Sequence, residues 1–358
     1  MSSIDDTINQ INAAIVSIVI AVSFINLTLG TIGLVFNVII FTRPSLRNEP
    51  CSLYFFSSTC FNLFVILVIV PIRIASEGFN TDITSYNIGI CKLEFFVFYV
   101  VRTIPCWLIV LACVDRYLKS STKVHIRRLS SLRTAKIAIY FIVSVLIILH
   151  IHMPIYYEIT RTFDGYGNLI PACYGQTGFY RKFIAFWSMA SYSLCPSLLM
   201  ILFGMLTVRN VHLSGRIRSE VTSRRIDRQL ACMLTAQVLA IVFSTLPFSV
   251  YRLYASFTAS LPKDATRLAW ENLAFKSASV LTYFAHSTSF YLYTLAGTIF
   301  RKELVKIVRR HLWKRNEIHR TLNLHGQQQS EKVQKVIKKH EATSKDRYGC
   351  IAKNRTEL

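Results

Sequence analysis

The sequence predicts an all-α membrane protein: a seven-transmembrane helix bundle, then a short amphipathic helix on the inner surface and a disordered basic tail. Three observations lead there. Of 358 residues, 52% are hydrophobic and only 17% charged, well away from the balance of a water-soluble domain. Seven long runs carry almost no charge. Basic residues collect in every second connection between those runs, as they do on the cytoplasmic side of a bilayer.

An ionised side chain at the bilayer centre is costly, so charged residues bracket the spans. The first run lies between Asp6 and Arg43 and is expected to become helical near Ile11 to Ile15. The second falls between Glu49 and Arg73, and the third runs from Cys91 to Tyr117 with Arg102 as its one interruption. The fourth lies between Lys136 and Glu158, the fifth between Lys182 and Arg209, the sixth between Arg228 and Arg252, and the seventh between Lys276 and Arg301. The third is long enough by itself: 25 steps from Cys91 to Arg116 at 1.5 Å each cover roughly 37 Å, against a hydrocarbon core of about 30 Å.

With the N-terminus outside, the inner connections hold Arg43 and Arg47, then Lys119, Lys123, Arg127, Arg128, Arg133 and Lys136, then Arg209, Arg216, Arg218, Arg224, Arg225 and Arg228. The outer loops are poorer in basic residues and mixed in sign. The expected layout is a short extracellular N-terminus over 1–10, the bundle over 11–298, an amphipathic surface helix over 299–313 and a disordered cytoplasmic tail over 314–358. Asp5 and Asp6, with no basic residue before them, are unlike the positive start of a cleavable signal peptide. Phe300, Leu304, Ile307, Val308 and Leu312 recur at helical spacing opposite Arg301, Lys302, Lys306, Arg309 and Arg310, which suits a helix lying on a membrane surface.

Charge and cysteine usage exclude several function classes. The net charge of +22 is concentrated toward the end of the chain, where residues 301–358 hold 16 Lys/Arg against 6 Asp/Glu. That places it beside anionic lipid rather than nucleic acid. Nine cysteines include no C-x-x-C pair, so neither a zinc ribbon nor a thioredoxin site is expected, and no metal or cofactor is called for. There is no H-E-x-x-H, no G-x-S-x-G and no pair of aspartates within the spans, so an enzyme is not expected. A transporter or channel would stack polar residues through the midplane on several helices; Arg102, Asn62 and His150 are the candidates.

Cys91, the apolar run behind it and Asp115-Arg116-Tyr117 at its far end resemble the third helix of rhodopsin-like G-protein-coupled receptors. The resemblance covers residues 11–312. Gly33 and Asn37 fit the family's Gly-x-x-x-Asn, and Asn62 stands for the usual aspartate of the second helix. Pro154 fits the fourth helix, which lacks its tryptophan. Pro196 suits the fifth, though Gly204 replaces a tyrosine further in. Pro247 keeps the proline of Cys-Trp-x-Pro, with Thr245 at the tryptophan. Ser289-Phe290-Tyr291-Leu292-Tyr293 stands for Asn-Pro-x-x-Tyr.

The resemblance implies site residues. Cys173 is the sole cysteine of the second outer loop, where the family bonds one to the third helix, so a Cys91 to Cys173 disulfide is expected. Asp115, Arg116, Tyr117, Asp227 and Tyr293 would form the G-protein switch, with Asp227 facing Arg116. Asn37, Asn62, Pro196, Pro247 and Ser289 would be core polar and hinge positions. Phe98 occupies the position of the aspartate of amine receptors and Tyr283 that of the retinal lysine of opsins, which disfavours both ligands. Phe98, Tyr99, Arg102, Phe248, Tyr251, Arg252, Phe275 and Ser279 are the expected ligand pocket, aromatic with two cations. This suits a peptide, or a ligand with an acidic or carbonyl-rich end. The end of the seventh helix is similar to that of invertebrate FMRFamide-type neuropeptide receptors.

The reading is therefore of a plasma-membrane receptor with its N-terminus outside, binding an extracellular peptide and acting on a heterotrimeric G protein. A chemosensory or ligand-independent receptor is the alternative within the class, and a transporter the alternative outside it.

Overall fold

The computed structural model describes residues 2–79, 81–163, 169–214, 221–258, 261–297, 300–307 and 309, without the side chains of 2–5, 45, 162–163, 212–214 and 221–231. The chain divides into two units, Met1–Arg301 and Lys302–Leu358. The first is a seven-helix bundle: α1 (Ser2–Phe41), α2 (Pro50–Gly78), α3 (Ile88–Ser120), α4 (Leu132–Leu149), α5 (Phe179–Val211), α6 (Val221–Phe257) and α7 (Ala265–Ser287), the last continued by Ser289–Ala296. In the second unit residues 302–307 are helical, and Lys306 pairs with Glu303 at 2.7 Å. Residues 299, 308 and 310–313 of the expected surface helix, and the whole tail from 314, lie outside the described residues.

Apolar side chains face outward over much of the bundle, Phe141 at 68% exposure and Phe243 at 70% among them. Lipid is the solvent such a surface requires, and in lipid the backbone must satisfy its own hydrogen bonds, which helices do. Six helices, α1 to α6, are long and apolar enough to span by length and composition. The seventh is diluted by Arg267, Glu271 and Lys276, all of which the sequence reading left at or before its start.

Three local expectations are corrected. The first helix starts at Ser2 rather than near Ile11, because Ile8, Ile11, Ile15 and Val19 form one stripe at helical spacing that packs on Ala269, Leu273 and Val280 of α7. The seventh helix starts at Ala265 rather than after Lys276, its charges neutralised in place: Glu271 holds Arg267 at 3.0 Å and Lys263 at 2.5 Å, and Lys276 pairs with Glu77 at 3.2 Å. The bundle is also not purely helical. Strands β1 (Tyr157–Phe163) and β2 (Leu169–Gly175) form an antiparallel hairpin with Tyr157 opposite Gly175 and Ile159 opposite Cys173.

Helix breaks occur where the backbone is given other partners. In α5 a π-helical turn at Met189–Leu194 precedes Pro196, whose ring nitrogen cannot donate; the Ser191 carbonyl accepts from the Trp107 indole at 2.9 Å. In α7 the break comes at Thr288 without a proline. The Thr288 and Ser287 hydroxyls both donate to the Phe284 carbonyl, at 2.7 and 3.3 Å, and such back-bonding competes with the helical ladder.

Contact between α1 and α7 depends on Gly30 and Gly33. A Cβ at Gly30 would sit 2.9 Å from the Ser287 Cβ, and one at Gly33 2.9 Å from that of Phe290. One turn beyond on either side of this seam, Asn26 accepts from Ser287 at 2.6 Å and Asn37 donates to Ser289 at 3.1 Å.

Candidate functional site

At the Cys91 end of the bundle, the hairpin is tied to α3 by a disulfide between Cys91 and Cys173, with 5.7 Å between their Cα atoms. Both cysteines are buried, in a cluster with Phe98, Tyr99, Tyr157 and Tyr180. Burial, with Tyr99 adding to it, pushes the Tyr157 phenol well above its ordinary pKa, so this residue of β1 stays neutral and able to donate.

Beneath the hairpin lies a cavity lined by Tyr99, Arg102, Thr103, Ser188, Tyr192, Phe248 and Ser249. Of the eight residues expected in a pocket, Tyr99, Arg102 and Phe248 line this cavity, while Phe98, Tyr251, Arg252, Phe275 and Ser279 are not in its lining. Phe248 stacks on Phe275 at 5.9 Å, and Tyr251 lies 5.5 Å from the same ring. The Arg252 guanidinium stands 5.9 Å from the rings of both Tyr99 and Phe248. Ser279 is buried one turn further along α7, its carbonyl accepting from Thr282 at 2.6 Å.

Arg102 is 4% exposed. It points into the bundle, not along α3 toward its outer end. The guanidinium donates to the Thr282 hydroxyl and, at 3.4 Å, to Tyr192, while its Nε has no hydrogen-bond partner among the described residues. Four rings surround it, Phe98 at 4.5 Å, Tyr192 at 5.0 Å, Tyr283 at 5.3 Å and Phe248 at 5.6 Å. No carboxylate pairs with it among the described residues.

A polar chain descends from this point. Tyr192 meets His286 Nε2 at 3.2 Å, and His286 Nδ1 meets Asn62 Oδ1 at 2.8 Å. All three are buried. Ser193 and Thr245 link α5 to α6 at 3.0 Å beside it, so the residue at the family's tryptophan position makes a polar contact. Pro247 lies inside α6.

At the other end of α3, Arg116 is buried. It pairs with Asp115 at 3.0 Å and Glu49 at 3.8 Å. Asp115 also accepts from Ser130 at 2.7 Å, and Glu49 pairs with Lys119 at 2.6 Å. The Tyr117 ring lies 5.7 Å from Phe203. Tyr293 packs apart from these, in an aromatic group with Phe55 at 5.0 Å, Phe41 at 5.9 Å and Phe300 at 6.0 Å. The backbone of Asp227 is helical, but its side chain lies outside the described residues.

Sequence reasoning missed Tyr192, Thr282, His286, Arg73 and Glu49. His286 had a usable signal: a histidine inside a charge-free run, four residues after Thr282 and three before Ser289, on a face that must find polar partners. His150 is buried against Trp187 at 6.0 Å, and its Nδ1 donates to the Leu146 carbonyl at 2.8 Å. It takes no part in the cavity.

A family model described as "7 transmembrane receptor (rhodopsin family)" matches residues 33–293. A comparison with curated proteins finds no match.

Proposed function

Since the chain belongs to the rhodopsin family of seven-transmembrane receptors, a family of non-enzymatic receptors, we propose that it binds an extracellular peptide and transmits that event to a heterotrimeric G protein. The protein crosses the membrane several times; we place it in the plasma membrane with its N-terminus outside, on the strength of the basic inner connections. The similarity of its seventh helix to FMRFamide-type receptors supports a neuropeptide.

One observation supports this most. A single helix, α3, carries Phe98, whose ring lies 4.5 Å from the cavity residue Arg102, and the ion pair at Arg116, 18 residues further along. That is five turns on one face, about 27 Å. In this reading, a ligand that binds better when α6 swings away from α3 shifts the equilibrium by its differential affinity alone. Asp115, Arg116, Tyr117 and Tyr293 then form the surface that meets the G protein, and Pro196 and Pro247 serve as hinges.

The test is a peptide library applied to cells carrying the full chain and a second-messenger reporter. A peptide that raises the signal only in cells with the receptor is the expected result. A chain that localises to the surface but drives no second messenger with any peptide, while transporting a solute, overturns the reading.

A further inference from the structure

Among the described residues, one arginine of the Cys91 end is paired with acids and a deeper one is not. Arg73 of α2 lies 4.5 Å from the Phe98 ring and is met by Glu94 at 3.5 Å and Glu77 at 3.9 Å. Arg102 lies 4.5 Å from the same ring and, among the described residues, meets only hydroxyls and aromatic faces. Ring quadrupoles attract a cation, but a buried guanidinium without a counter-charge is costly, and its planar fork matches a carboxylate. Arg252 approaches the same Phe248 ring, at 5.9 Å against 5.6 Å for Arg102. No acid pairs with Arg252 either among the described residues. Ser188 and Ser249 offer further donors in the wall.

We propose that the cavity takes an anionic group of the ligand, a carboxylate carried next to an aromatic ring, held by Arg102 in the wall, with Arg252, beside the lining residues Tyr99 and Phe248, adding to the positive field. This rests on the receptor reading and names the ligand's chemical class. Either an acidic side chain or a free C-terminus supplies the same group. A cationic amine is rejected, because no carboxylate lines the cavity among the described residues.

The test uses the full-length receptor in nanodiscs and its melting temperature. Phenylacetate, phenylacetamide and phenethylamine present similar ring-bearing chains ending in negative, neutral and positive groups. Phenylacetate should raise the melting temperature and the other two should not. Arg102→Gln should abolish the shift and Arg252→Gln should reduce it; if Arg102→Gln does not fold, Arg252→Gln carries the test. Acetyl-Phe-Asp-amide and acetyl-Phe-Gly with a free C-terminus then separate the two sources. The proposal is overturned if no carboxylate probe shifts the melt, if the amide or amine matches phenylacetate, or if folded variants retain the full shift. Failure of the receptor reading would look different: a carboxylate shift with no G-protein nucleotide exchange under any condition.

A separate observation concerns the direction of the hydrogen bonds below the cavity. Asn62 Oδ1 can only accept, so His286 Nδ1 carries the proton and its Nε2 is bare; Tyr192 must then donate to Nε2, leaving its oxygen to accept from Arg102. Every donor in the chain points from Arg102 toward Asn62, and aligned bonds strengthen one another. We infer that Tyr192 and His286 are positioning residues through which the state of Arg102 is felt at Asn62. Arg102→Gln and Asn62→Ala should be non-additive by about threefold or more in basal nucleotide exchange, and non-additive in melting temperature. In a Tyr192→Phe background the two should become additive, and His286→Ala should do the same. Additivity in the unaltered receptor, or coupling that survives both Tyr192→Phe and His286→Ala, overturns the inference.

Discussion

Arg116→Ala is expected to abolish ligand-stimulated nucleotide exchange while leaving the receptor at the cell surface. Arg116 is buried at the inner end of α3 between Asp115 and Glu49. In the receptor reading, that guanidinium both holds the closed state and meets the G protein once released. Breaking a buried pair by deleting one partner costs about 3–5 kcal/mol. Here the acids are spared the full cost, since Glu49 keeps Lys119 at 2.6 Å and Asp115 keeps Ser130 at 2.7 Å. Fold and trafficking should therefore survive while coupling does not. The companion variants test the lock. Glu49→Gln and Asp227→Ala should each raise basal exchange a few-fold, because a partly exposed ion pair is worth only about 0–1 kcal/mol. A rise with Glu49→Gln alone would place the restraining acid on α2 rather than α6. Unchanged basal and stimulated exchange in all three variants, at matched surface abundance, would remove the ion pair from the mechanism.

Cys91→Ser, Cys173→Ser and the double variant should each lose most surface receptor, and to the same extent. The bond closes a loop of 82 residues of sequence separation and fixes the β1–β2 hairpin over the cavity. Native disulfides of this kind contribute about 2–5 kcal/mol. The hairpin has no second sheet partner among the described residues, and an isolated two-stranded hairpin is marginal. What holds it besides the disulfide is the packing of Tyr157 and Cys173 in the cluster with Phe98, Tyr99 and Tyr180. The double variant should be no worse than either single one, since the two residues act as one bond. Melting temperature of purified protein and surface labelling read both effects. A double variant that melts with the unaltered receptor would show that packing alone positions the hairpin.

The seven runs, the connections between them and the two ends of α3 were legible in the sequence because the bilayer prices each residue almost independently. A charge at its centre is unfavourable whatever surrounds it, so Asp6, Arg43, Glu49 and Arg73 bracket spans before any contact is known. Where the charges are neutralised in place that rule fails, and α7 accordingly begins twelve residues earlier than its charge-free run. Arg102 was recognisable as a residue in need of partners, and only the tertiary structure supplied them: Tyr192 is 90 positions away and Thr282 is 180. His286 and Asn62 are separated by 224 positions and Glu49 and Lys119 by 70. The hairpin falls in the same class, since its register joins Tyr157 to Gly175 across a connection. Composition states that a buried polar group in lipid must be satisfied; which group satisfies it depends on how helices far apart in sequence are packed, and that packing turned an isolated arginine into the head of a hydrogen-bonded chain.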